Sequence, residues 1–297
     1  MMQALNYSDW KDTAHLLHMT LQMMGKVKLK KMRAQPEWNQ VLLNMTTQGF
    51  TTGPIPDGEN CFEISFDVIS GRVTARCTTG HEAGFQLRDK IAISEVYEDF
   101  GHMLRHIKHE TNINPTPQEC ANLTLFHKQT AKLHYERDSA CNYFECCALA
   151  YSAILNFAAP LRCKKILPSM FWGTFDMTAV LFSCEEEPFS GKGKIEQVAF
   201  DEKMAEFGFW PGDDKTDQPS FFVLAYPFIK SHPEHLGLRP RGAYFSAEKM
   251  EYFLPLAEVL KEPNPAATIE EFCTNSFTAI LAQSNWKHKD WFTKSLL

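Results

Sequence analysis

The sequence predicts an α+β protein, with antiparallel sheets in two weakly similar halves, packed by amphipathic helices and followed by C-terminal helices. Three observations carry that expectation. Two long segments, 8–25 and 140–160, repeat apolar residues at helical spacing. The stretch FEISFDVISGRVTARCT alternates apolar and polar residues on both sides of Ser70-Gly71, as a half-buried β-hairpin does. Helix, basic link and strand also follow one another twice, over 8–48 and 140–183. The chain therefore divides into a half at 1–110, a crossover at 111–139 and a half at 140–297, the two halves forming one compact unit. At 297 residues and 44% hydrophobic content it can bury a sizeable core.

The first helix is expected over 8–25, capped by Ser8 or Asp9 and ended by Gly25. Steps of about 100° per residue put Trp10, Ala14, Leu17, Leu21 and Met24 on one face and Leu16, Met19 and Met23 on the other. Lys11, His15, His18 and Gln22 form a narrow polar stripe between them that reaches Lys26. A helix apolar on two sides is sandwiched, so the stripe lines either a cavity or a solvent edge.

In the hairpin, a two-residue turn pairs Ile69 with Arg72 and puts Phe62, Ile64, Phe66 and Val68 on one face with Val73, Ala75 and Cys77. Glu63 and Asp67 fall on the other face near Arg76. They read either as cross-strand charge pairs or as paired carboxylates for acid/base work. Residues 94–109 read as a surface helix. Its His102, His106 and His109 lie opposite the apolar face, and a single exposed face converges poorly on a tetrahedral ion. No metal site is assigned.

The polar stretch 110–135 carries two prolines and serves as the crossover. The second long helix, 140–160, ends at Pro160 and has its own polar stripe of Asn142, Glu145, Ser152 and Asn156. SMFWGTFDMTAVLFS, 169–183, then reads as one buried strand, whose alternation places Asp176 beside Trp172. A carboxylate against a large aromatic surface has its pKa raised, which suits a general acid or base. The competing reading is a local cap or pair at a strand end. GFWPG, 208–212, is expected as a rigid aromatic turn, and 220–228 as another buried strand. Helices are expected near 196–206, 246–261 and 266–284.

The formal charge of −6 argues against nucleic acid as a partner. No uncharged apolar run approaches the length of a membrane span and no signal-peptide pattern opens the sequence, so a soluble cytoplasmic protein is expected. Nine cysteines without a Cys-x-x-Cys pair fit reduced structural thiols. Gly191-Lys192-Gly193 lacks the following Ser or Thr of a phosphate-binding loop, and the sequence names no cofactor.

LHMTLQMMGKVKL (17–29), GFTTGPIP (49–56), FEISFD (62–67), FWGTFD (171–176) and GFWPG (208–212) together resemble a bacterial family known only as a domain of unknown function. The resemblance runs over most of the chain and implies a shared fold with no established activity. It singles out His18, Gln22, Lys26, Glu63, Asp67, Trp172 and Asp176. This chain departs from the family pattern at Gln40, Ser169 and Glu202, where the family carries histidines, and at Leu181 and Glu185, where it carries basic residues. A histidine-held metal in the family would thus not be held the same way here.

The functional expectation is binding of a polar or anionic small molecule in a cleft between the two halves. His18, Gln22, Lys26, Glu63, Asp67, Trp172 and Trp210 would contact it, and Asp176 would be the general acid or base. No Gly-x-Ser-x-Gly elbow offers a covalent nucleophile. The alternative is a protein-interaction or scaffold module, with the Met-rich first helix forming a partner surface or a homo-oligomer interface.

Overall fold

A computed structural model of the chain describes residues 2–233 and 235–296. It is an α+β protein built on two antiparallel sheets. The chain divides into two compact units, one of residues 8–145 and 170–175, the other of residues 1–7, 146–169 and 176–297.

In the first unit, helix α1 (Tyr7–Lys31) is kinked at Trp10 and runs six residues beyond Gly25. Gly25 does not end the helix, because its missing Cβ serves packing. A Cβ there would fall 2.1 Å from the Trp172 indole nitrogen. The two-sided apolar pattern has the expected consequence, with Leu16, Leu17, Met19, Leu21, Met23 and Met24 all at most 1% exposed. The methionines of this helix are core, so they offer no partner surface.

The sheet of this unit runs β1 (Asn44–Met45), β2 (Gly49–Thr51), β4 (Asn60–Asp67), β5 (Arg72–Cys77), β6 (Glu82–Gln86), with β3 (Ile55–Asp57) also paired to β4. The β4–β5 turn spans four residues rather than two, and Asp67, not Ile69, lies opposite Arg72. The shift moves the partner of every residue by two positions, which preserves the faces. Phe62, Ile64 and Phe66 thus still share the buried face with Val73 and Ala75.

Helix α2 (Ile93–His106) buries Val96, Phe100, Met103 and Leu104 and leaves His102 and His106 exposed, as their angles require. His109 departs from that face. The helix stops before it, Lys108 turns the chain at φ 64°, and the His109 ring stacks on Phe62 with Nδ1 2.9 Å from Asp57.

Helix α3 (Arg137–Ala158) contributes to both units. The second sheet runs β11 (Tyr244–Ser246), β12 (Glu251–Pro255), β10 (Ser220–Tyr226), β9 (Glu202–Trp210), β8 (Asp176–Glu186), β7 (Lys164–Phe171). The expected single strand over 169–183 is instead the β7–β8 hairpin, turned at 172–175 with Phe175 at φ 66°. The helix expected over 246–261 is strands β11 and β12 followed by one helical turn, α5 (Leu256–Val259). Residues 194–199 form a short helix α4, and Gly208 to Trp210 close strand β9 rather than opening a turn. Helix α6 (Pro265–Gln283) starts on an Asn264 cap, whose side chain accepts from the Ala267 N–H, and packs on β9 and β10. A last turn, α7 (Lys289–Phe292), follows.

Alternation gives the second sheet two distinct faces. Met177, Ala179, Phe207, Phe209, Phe221, Val223, Tyr252 and Leu254 share one face and are all buried. The other face carries Asp176, Thr178 and Val180 on β8, Glu206, Gly208 and Trp210 on β9, Phe222 and Leu224 on β10, and Glu251 and Phe253 on β12. Trp210, Phe222, Leu224 and Glu251 stay partly exposed there.

Candidate functional sites

The polar stripe of α1 meets its own unit's main chain. His18 Nε2 lies 3.0 Å from both the Trp172 and the Gly173 carbonyl oxygens, and its ring stacks on Phe175 at 4.8 Å and 9°. The Gln22 amide nitrogen lies 3.0 Å from the same His18 nitrogen, so Nε2 faces two carbonyl acceptors and one donor. Burial pushes the imidazole down to about 4 despite these bonds, so His18 is neutral at pH 7.

One turn on, Gln22 reads the backbone of Gln118 like a neighbouring strand. Its Nε2 donates to the Gln118 carbonyl at 2.7 Å and its Oε1 accepts from the Gln118 N–H at 2.9 Å. Another turn on, Lys26 is 2% exposed. It donates to Thr116 O at 2.8 Å and Gln118 Oε1 at 2.7 Å, with its ammonium 5.7 Å from the Trp172 ring centre and 5.9 Å from that of Phe126. Burial lowers the lysine to about 8, so most of it stays charged at neutral pH. Trp172 completes the cluster by donating from Nε1 to the Val41 carbonyl at 2.9 Å. His18, Gln22, Lys26 and Trp172 thus fasten two irregular segments, 116–118 and 172–175, to one helix.

Glu63 and Asp67 are held by β-sheet neighbours. Glu63 lies opposite Arg76 and accepts from Thr51 Oγ1 at 2.5 Å and Ser65 Oγ at 3.2 Å. Asp67 accepts from the Ser70 N–H at 2.9 Å across the hairpin turn.

A different chemistry gathers on the partly exposed face of the second sheet. Asp176, 3% exposed, accepts a hydrogen bond from the Thr178 hydroxyl two residues along β8. Glu251 is half-buried, and among the described residues no hydrogen bond or ion pair within 4 Å reaches its carboxyl. Burial pushes it up to about 7, the Asp176 charge adds to that rise, and Lys249 partly offsets it. The Lys249 ammonium stands 5.5 Å from the Trp210 ring centre and 5.2 Å from that of Phe253. Gly208 leaves room for the Phe222 ring, since a Cβ there would fall 2.4 Å from that ring and from Thr178 Oγ1. Among the described residues, no three His, Cys, Asp or Glu side chains gather as metal ligands. Among the described residues, no helix is long and apolar enough to cross a membrane.

Residues 2–292 match the model of a family of unknown function, DUF5996. The chain belongs to that family. No curated protein and no solved structure matches it significantly.

In this DUF5996 protein the predicted residues fall into separate groups. His18, Gln22, Lys26 and Trp172 meet on α1, Glu63 and Asp67 stay within the first sheet, and Asp176 and Trp210 share a face of the second. Asp176 and Trp172 do not share a strand face, because the 172–175 turn intervenes. Two of the residues expected to depart from the family pattern carry ion pairs. Glu185 accepts from Lys203 at 3.3 Å and from the Lys287 N–H at 2.9 Å, and Glu202 pairs with Lys164 at 2.9 Å. Sequence reasoning missed Glu251, since the helix expected over 246–261 hid its strand alternation.

Proposed function

We propose that this DUF5996 protein binds a polar small molecule on the partly exposed face of its second sheet and acts on it by acid/base chemistry without a covalent nucleophile. Glu206 of β9 also lies on this face, and Asp176 and Glu251 are the two carboxyl groups assigned to the chemistry. The observation that carries the reading is the contrast between them. One carboxyl is deeply buried and hydrogen-bonded to Thr178, while among the described residues the other takes part in no hydrogen bond, and burial together with its neighbour's charge raises it to about 7. Two carboxyls in unlike environments divide the acid and base roles, and a group titrating near neutrality gives up and takes back a proton readily. Trp210 and Phe222 supply apolar walls that keep water from a bound molecule.

The test is a thermal-shift screen of the wild type, Asp176→Asn and Glu251→Gln against a library of polar metabolites. A compound that raises the wild-type Tm by several degrees, and either variant's by less than half as much, supports the reading. Equal shifts in all three proteins, or no shift in a wild type whose variants melt normally, overturn it.

A further inference from the structure

The face that carries Asp176 and Glu251 already holds a cation. Lys249 sits on the exposed turn between β11 and β12, and its ammonium lies over both Trp210 and Phe253. Its remaining hydrogen bonds are slight: Nζ reaches Thr216 Oγ1 at 3.4 Å, and no carboxylate lies within 4 Å of it among the described residues. Tyr244, 49% exposed, stacks on Phe253 at 5.7 Å and extends the aromatic surface. Ring faces attract cations through their quadrupole, most strongly for Trp. The carboxyls add the same preference, since Glu251 lies within the field of both Asp176 and Lys249.

Resting on the small-molecule reading above, we infer that the ligand of this face is an amine bearing a flat apolar group, whose ammonium takes the position over Trp210 and Phe253 that the Lys249 side chain now fills. Lys249 is then a resident competitor, tethered to a surface turn and displaced when the ligand arrives. Glu251 is the counter-charge, and the incoming ammonium favours its ionised form. An anionic ligand gains nothing from the rings and is repelled by the carboxylates of this face, Glu206 included. The anion-binding expectation drawn from Lys26 belongs to another part of the chain, where Thr116 and Gln118 already engage that ammonium.

The test uses the full chain and two probes of similar shape, 2-phenylethylamine and 3-phenylpropionate, with calorimetric titration at pH 8. The amine is expected to bind the wild type, to bind Lys249→Met about five-fold more tightly, and to bind Glu251→Gln several-fold more weakly. The carboxylate is expected to bind none of them. Lys249 is exposed, so its variant folds even where Glu251→Gln does not, and the tightening alone then decides. Binding of the carboxylate in preference to the amine overturns the amine assignment while leaving a small-molecule site in place. An amine affinity unchanged by Lys249→Met, or no amine binding by any variant, also overturns it. The metabolite screen with Asp176→Asn judges the acid/base reading separately.

Discussion

The Trp172 indole lies flat against the backbone of Gly25, so close that a single methyl group there would stand 2.1 to 2.3 Å from three of its ring atoms. A mid-helix glycine costs about 1 kcal/mol relative to alanine. The helix accepts that cost because the indole then reaches the Val41 carbonyl and forms one wall around the Lys26 ammonium. Gly25→Ala is therefore expected to destabilise the protein by about 2 kcal/mol, overpacking outweighing the propensity gain. In a Trp172→Leu background the same substitution should cost far less, a coupling that a double-mutant cycle in urea measures. Additive effects would mean that the contact does not govern Gly25.

Gln22 uses both ends of its side-chain amide on the main-chain N–H and C=O of one residue, Gln118. Gln22→Leu keeps the volume and leaves the Gln118 N–H and carbonyl without those partners. Two lost bonds of about 1 kcal/mol each predict a local loosening of 116–118, read as faster exchange of the Gln118 amide hydrogen. Exchange unchanged from the wild type would refute the clamp.

His18 makes the protein sensitive to acid. Burial holds the folded-state imidazole at about 4, against an ordinary value of 6.5. Below pH 6.5 the unfolded chain therefore takes up a proton that the native state refuses, and stability falls as pH drops from 6.5 towards 4. His18→Phe keeps a ring to stack on Phe175 but cannot ionise or donate. The variant should be about 1–2 kcal/mol less stable at pH 7, with a flatter stability profile between pH 6.5 and 4. Urea melts at several pH values would show both effects, and an unchanged slope would assign the acid sensitivity to other groups.

How much of this was legible in the sequence depended on periodicity. The α1 stripe could be read from angles alone, and His18, Gln22 and Lys26 do converge with Trp172. The hairpin faces survived a wrong turn length because the slip was even. What failed were turns whose backbone the residue types do not announce. Phe175 takes a left-handed conformation beside a lone Gly173, which broke the expected strand and separated Trp172 from Asp176. Met250 does the same at φ 58° within SAEKMEYFLPLAEVLKE, where the mid-segment Pro255 was the one sign in the residue types against a single helix. Glu251 was lost with it.

Glu251 therefore carries the prediction most specific to the candidate site. Its carboxyl holds a proton up to about pH 7 in the fold, against 4.5 ordinarily. Between those values the native state binds more protons than the unfolded chain, so stability declines as pH rises through the window and levels off above it. Glu251→Gln removes the ionisation and with it the decline. The variant should match the wild type near pH 4.5 and exceed it above pH 7, by on the order of 1–3 kcal/mol. Asp176→Asn removes the charge that adds to the rise, so Glu251 should titrate lower in that background. Carbon-detected NMR titration of the Glu251 carboxyl in both proteins measures this directly. A midpoint near 4.5 in the wild type would mean that water reaches the carboxyl freely, and the acid/base role assigned to it would fall.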